Sequence, residues 1–241
     1  MEGLTFSLVD ETSIESIPEP ARPGARCQTC DYWERLEGSR EGDDTTARRN
    51  AKRAALLAGA RLAGSYGMLA TDATGVVVGY TQFGPLSVYP RAQLIRDRYP
   101  ELPESPAPWI LTCLQVVPGT PDRGAIGQAL AEAVCAELDR RGVIAVETYL
   151  ERAADPWLPS GGPASVYEAA GFTLTAGDDQ FPVYRRELAG EVEVGWEDLL
   201  SKTRVPDEGE TWPLPMPKGP TEDEVFRLPP KPSRPNPFGD D

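Results

Sequence analysis

Trp109-Ile110-Leu111-Thr112-Cys113-Leu114-Gln115-Val116-Val117 is an apolar run that breaks at Pro118-Gly119-Thr120-Pro121. It resumes as Asp122-Arg123-Gly124-Ala125-Ile126-Gly127-Gln128-Ala129-Leu130, in a pattern that lasts to Arg140-Arg141-Gly142. The first part is far shorter than the about 18 residues of a membrane span and reads as a buried strand. Ile126, Leu130, Val134 and Leu138 recur every four residues, which is one face of a helix, and Gly142 is a natural stop. A strand that leads through small residues into a helix leaves the first amides of that helix unpaired, at the positive end of its dipole. Such a bend can hold a diphosphate, and Gly124, Ala125 and Gly127 would let one approach the main chain.

Working outward, Val143 to Leu150 reads as a strand parallel to the one before the helix, because a strand, helix, strand unit of this length is a right-handed crossover. Glu147 interrupts its apolar run. A short helix over Ala164 to Ala170, stopped by Gly171, and a hairpin of Phe172 to Thr175 and Phe181 to Leu188 close the domain. On the other side, Leu4 to Val9 alternates as a first strand and Thr45 to Gly64 reads as a helix. Its basic residues Arg48, Arg49, Lys52, Arg53 and Arg61 fit a solvated face or the lining of an anion site. Tyr66 to Ala70 and Val76 to Phe83 form a second hairpin, and the Pro-rich stretch 85–108 suits a substrate-facing loop or short helix.

With 241 residues, of which 40% are hydrophobic, one domain with extensions is expected. The formal charge of −14 argues against nucleic-acid binding, and no apolar run is long enough to span a membrane. Acidity collects at the two ends: residues 1–45 hold 11 acids against 4 bases, and residues 189–241 hold 12 against 6. There is no histidine, which removes Ser-His-Asp and Cys-His nucleophiles and imidazole metal sites. A general base must then be a carboxylate, Tyr, Lys, Cys or a held water. The expected setting is cytoplasmic, with the four cysteines reduced. Cys27-Gln28-Thr29-Cys30 has the spacing of a metal knuckle or redox pair, but only Cys113 and Cys135 remain to complete a zinc site, so packing is the leading reading and no metal is assigned. Residues 205–241 carry ten prolines and little that could form a core, so a domain over 1–188 is followed by an acidic, mostly disordered extension over 189–241. Pro229 to Arg234 in that extension fits a polyproline groove of a protein partner.

The order of these elements resembles the GCN5-related N-acetyltransferase (GNAT) superfamily over residues 4–188. Two motifs carry the resemblance. Asp122-Arg123-Gly124-Ala125-Ile126-Gly127 is similar to the family turn Gln/Arg-x-x-Gly-x-Gly/Ala, with Asp122 and Ala125 as departures. Val166-Tyr167-Glu168-Ala169-Ala170-Gly171-Phe172 looks like the family's Tyr-Glu-Lys-x-Gly-Phe segment. Cys27-x-x-Cys30-Asp31-Tyr32-Trp33-Glu34 further resembles a feature of one subgroup. The resemblance implies an α/β (α+β) fold, a GNAT-like mixed twisted sheet of about six to seven strands flanked by helices, with acetyl-CoA threaded between diverging fourth and fifth strands. Leu114, Gln115, Val116 and Val117 would be the fourth strand, and Arg123, Gly124, Ala125, Ile126, Gly127 and Gln128 the diphosphate cradle. Such proteins are often homodimers.

Acetyl transfer to a small-molecule or protein amine needs a proton acceptor, oxyanion stabilisation and an acid for the departing thiolate. Tyr167 is the expected acid and Glu147 the first choice of base, ahead of Glu151, Asp155 or a water. A backbone N–H near Leu114 to Val116 would polarise the thioester. Cys113, in an apolar strand, should have a raised pKa and make a poor nucleophile. The alternative function is a non-catalytic acyl-CoA-binding or scaffold protein, favoured by the departures at Asp122 and Ala125. A thiol or metal protein built on Cys27 and Cys30 is a third.

Overall fold

The computed structural model describes residues 3–19, 26–36, 44–62, 64–104, 106–151, 161–177 and 181–188, with backbone alone at 58–62. The chain divides into two units, residues 1–192 and 193–241. The second, and with it the expected polyproline segment, lies outside the described residues, as does Asp155.

The elements are β1 (Thr5–Leu8), α1 (Thr45–Leu62), β2 (Gly67–Thr71), β3 (Val77–Pro85), α2 (Pro90–Arg96), β4 (Trp109–Val116), α3 (Arg123–Arg140), β5 (Ala145–Tyr149), α4 (Ala164–Ala169), β6 (Thr173–Ala176) and β7 (Val183–Glu187). They build one mixed sheet of seven strands in the order β1-β2-β3-β4-β5-β7-β6. All neighbours are antiparallel except β4 and β5. The mixed sheet of six to seven strands flanked by helices is therefore what the chain forms.

Local chemistry explains the boundaries. The β2–β3 turn is held by Asp72, whose Oδ1 accepts from the Thr74 and Val76 amides at 2.9 and 3.0 Å, while Gly75 supplies the left-handed residue at φ 85°. At the end of α3, Gly142 (φ 77°) donates to Asp139 O and Val143 to Leu138 O, the paired bonds that close a helix on a left-handed glycine. Ile126, Leu130, Val134 and Leu138 are all buried, as their spacing requires. The stretch 85–108 does contain a short helix, α2, opened by Pro90 in its first turn.

The sheet is covered on both faces. Against α3 and α4 pack Met68, Val78, Phe83, Leu111, Leu114, Val116 and Val146. The opposite face carries Leu69 and Tyr80 under α1, and Ile110, Cys113, Tyr149 and Val183 under α2 and Trp33. Alternation along β5 thus sends Val146 to the α3 side and Glu147 to the α2 side.

Candidate active site

The parallel ladder between β4 and β5 is short. Trp109 pairs with Val146 and Ile110 with Glu147. Beyond them the strands part: Leu111 to Val116 continue along β3 alone, while Thr148 and Tyr149 pair with β7. A gap therefore opens toward the end of β4 that leads into α3. Main-chain groups of a strand alternate between its two neighbours. Val117 N–H donates to Val78 O at 2.9 Å, so Gln115 also faces β3 and the amides of Leu114 and Val116 face the gap. The Val116 carbonyl, on that same side, accepts from Arg123 Nε at 3.0 Å. Of the four β4 candidates, Leu114 and Val116 thus present main-chain groups to the gap, and Gln115 and Val117 spend theirs on β3.

The cradle lies one step further along the chain and is shifted from its expected place. Asp122 to Gly127 was to be a turn; the helix in fact begins at Arg123, and the turn runs from Val117 to Asp122. The reason is Asp122, which takes the left-handed conformation (φ 51°, ψ 38°) that Asp tolerates better than most residues and that ends one segment before the next can start. Its exposed side chain makes no capping bond. The first amide closed into α3 is that of Ile126, which donates to Asp122 O at 3.0 Å. The amides of Arg123, Gly124 and Ala125 precede it and have no acceptor within the helix. A Cβ built on Gly124 would meet nothing within 4 Å, so the approach to these amides is open. Gly127 and Ile126 are buried beneath them. The Arg123 and Gln128 side chains are engaged by protein: Arg123 on Val116 O, and Gln128 on Glu132 Oε1 at 2.9 Å and Ala169 O at 3.3 Å, which ties α3 to α4.

Tyr167, on α4, is fully buried and stacks edge-on against Phe172. Its hydroxyl donates to Gly161 O at 2.6 Å. Burial pushes its pKa far above the ordinary value, with the Thr148 hydroxyl pulling the other way. Thr148 is the first β5 residue past the paired segment, so Tyr167 sits where the strands have separated.

Glu147 is elsewhere. It lies on the opposite face, 0% exposed, and its carboxylate takes Arg185 Nη1 at 2.6 Å, the Tyr149 hydroxyl at 2.7 Å and Arg96 Nε at 3.2 Å. Arg96 also reaches the Pro103 carbonyl. These bonds join α2 and the 85–108 stretch to β5 and β7, so Glu147 serves as an anchor of that insertion and is already satisfied, which leaves it ill placed to take a proton. Glu151 is exposed.

A second buried group on that face was not foreseen. Lys52, expected on a solvated helix face, is 5% exposed and gives Nζ to Glu34 Oε1 at 2.6 Å. The same oxygen accepts from Gln82 Nε2 at 2.8 Å, and Gln82 is bonded in turn to the Tyr80 and Tyr89 hydroxyls, each at 3.3 Å. Burial works against the charge on Lys52, but the adjoining carboxylate leaves its pKa raised. The available signal was that Lys52 stands four residues before Leu56, a buried residue of α1, and so shares its face. Cys113 lies close enough to be felt by this group, as do Cys27 and Cys30. Burial pushes Cys113 up to about 12, which makes it a poor nucleophile, and raises Cys27 as well. Cys135 is on the other face, in α3. Among the described residues no group of three or more Cys, Asp or Glu is placed to hold a metal ion, and no helix is long and apolar enough to cross a membrane.

No family model and no curated protein matches the sequence. Solved structures that resemble the fold include a histone acetyltransferase HPA2 and related acetyltransferase from Corynebacterium glutamicum, at 15% identity over 78% of this chain and 97% of that one, with a TM-score of 0.46. Another is the paia N-acetyltransferase from Thermoplasma acidophilum in complex with coenzyme A, at 12% identity, 76% and 98% coverage and a TM-score of 0.45. A third is a GCN5-related N-acetyltransferase from Kribbella flavida, at 14% identity, 78% and 99% coverage and a TM-score of 0.43. Such likeness is too distant to carry a function, which has to come from the strand order, the gap and the helix start of this chain.

Proposed function

We propose that this chain is an acetyl-CoA-dependent N-acyltransferase that passes the acyl group directly to an amine. The observation that carries the reading is the parting of β4 from β5 after two residue pairs, immediately ahead of a helix whose first amides have no acceptor within it. The residues fit an extended thioester: the amides of Arg123, Gly124 and Ala125 for its diphosphate, and those of Leu114 and Val116 for the acyl arm. Acetyl-CoA, when bound, supplies an acyl carbon activated by a thiol leaving group. In the transfer, the amine nitrogen bonds to that carbon, the carbon–sulfur bond breaks, the amine loses a proton and the thiolate gains one. A main-chain N–H aimed into the gap opposes charge growing on the carbonyl oxygen. Tyr167, on α4 where β4 and β5 have separated, is assigned as the acid for the thiolate, its phenol being protonated at neutral pH as that of an ordinary tyrosine is. With Glu147 already held by Arg96, Arg185 and Tyr149, the amine's proton is assigned to water.

The engagement of Arg123, Gln128 and Glu147 by protein groups also suits a scaffold that binds acyl-CoA without turnover. Calorimetry with acetyl-CoA followed by thiol release with an amine panel separates the two. The proposal expects micromolar or tighter binding, release of coenzyme A thiol with at least one amine, and a Tyr167→Phe variant that loses about 10-fold or more in turnover at unchanged coenzyme affinity. Absence of binding ends the acyl-CoA reading, and binding without turnover leaves the scaffold.

A further inference from the structure

Residues 31–35 lie beside α1, and the two line a half-open cavity of about 370 Å³ on the face of the sheet away from α3. Its walls hold three acids, Asp31, Glu34 and Asp44, against three bases, Arg35, Arg48 and Lys52. Two of their polar atoms are unmet. Glu34 Oε1 is taken by Lys52 and Gln82, but Oε2, withdrawn from solvent, has no donor among the described residues. Arg48 gives one Nη2–H to Thr29 O at 2.8 Å and faces Asp31 at 3.5 Å, yet its Nε, also withdrawn from solvent, has no acceptor among the described residues. Buried polar atoms in folded proteins are nearly always bonded, so an orphan acceptor and an orphan donor on one cavity describe what would fill it. The occupant must give a donor hydrogen to Glu34 and an acceptor atom to Arg48, and an ammonium and a carboxylate do so with charge to spare. Balanced wall charge selects further: a polycation would leave positive charge uncompensated, whereas a molecule carrying both signs would not.

We infer that this cavity binds a small zwitterionic amine, its ammonium on Glu34 and its anionic oxygen toward Arg48. This binding does not rest on the acyltransferase reading.

The test is calorimetry on the full chain with the free α-amino acids, their N-acetylated forms and the matching amines that lack the carboxylate, each with and without coenzyme A. At least one free amino acid should bind, with its acetylated and decarboxylated counterparts weaker by 10-fold or more. Glu34→Gln and Arg48→Met should each cost 10-fold or more, and Ala51→Phe should abolish binding by filling the cavity from an exposed helix position that folding tolerates. Coenzyme A affinity should be unchanged in all three. The inference is overturned if the decarboxylated amines bind as well as the amino acids and Arg48→Met has no effect, or if coenzyme A binds and no amino acid does. Amino-acid binding with these losses, in a chain that ignores coenzyme A, upholds the cavity and removes the acyltransferase.

Discussion

Two carboxylates lie on the same face of the sheet, one buried and one half-buried, and they are finished differently. Glu147 on β5 receives two arginines and a tyrosine, and no part of it meets solvent. Glu34, brought in by the segment after Cys30, is satisfied on one oxygen by Lys52 and Gln82 and has no donor on the other among the described residues, beside a cavity. A carboxylate with every position filled fixes the elements that fill it, here α2, β5 and β7. One left half filled keeps a place for a further donor. The difference separates scaffold from site more surely than residue type does, since both are glutamates.

The comparison is most exposed at Glu147. Glu147→Gln keeps the shape but leaves Arg96, its side chain 13% exposed, without its carboxylate, and takes from Arg185, 4% exposed, one of its two carboxylates, the other being Glu187. Breaking a buried pair in this way costs about 3–5 kcal/mol. Urea denaturation should show that loss through a lower midpoint at unchanged slope. A variant as stable as the parent, but much slower in acyl transfer, would make Glu147 a working group and erase the contrast.

The Glu34 side can be approached through pH. Lys52 holds its proton more tightly in the fold than at its ordinary 10.5. A group with a raised folded pKa contributes its full stabilisation below the unfolded value and loses it as pH climbs through the folded one. The Lys52–Glu34 pair should therefore hold undiminished to pH 10.5 and weaken above it. The expected loss is about 1.5–3 kcal/mol, typical of a hydrogen bond to a charged group. Comparing unfolding midpoints of the parent and Lys52→Met from about pH 8 to about pH 12 checks this: the difference should shrink at the alkaline end. A difference that grows there would mean that Lys52 is destabilised as an ion, and that the pair does not hold Glu34 in place.

Much of this was legible beforehand, and the division is physical. The four-residue recurrence from Ile126 to Leu138, the stop at Gly142 and the Asp72–Gly75 turn are local signals, and each appears where the chain places it. The parallel crossover follows from handedness and loop length. What stayed hidden depends on contacts between distant segments. Glu147 meets Arg185 across 38 residues and Arg96 across 51, and nothing in Val143 to Leu150 says that its carboxylate would be neutralised from two directions. Lys52 looked like one more cation on a basic helix because its partner comes from an irregular segment with no periodicity to read. The helix start was misplaced by a few residues because a left-handed aspartate, unlike a glycine, leaves no mark in composition.

Open and filled geometry can also be contrasted in α3 itself, with the smallest effect and opposite signs in two measurements. Gly124 stands in the first turn, its φ outside the left-handed range and its Cβ direction clear. Alanine there should stabilise the fold by about 0.5–1 kcal/mol, since glycine costs a helix that much in backbone freedom. Nothing in the free protein argues against the methyl group. If the amides of Arg123 to Ala125 grip a diphosphate, however, the methyl occupies the space the ligand needs, and coenzyme A affinity should fall while the unfolding midpoint rises. A variant that gains stability and keeps its affinity would place the diphosphate elsewhere, and would leave the parting of β4 from β5 without the anchor that makes it an acyl-CoA site.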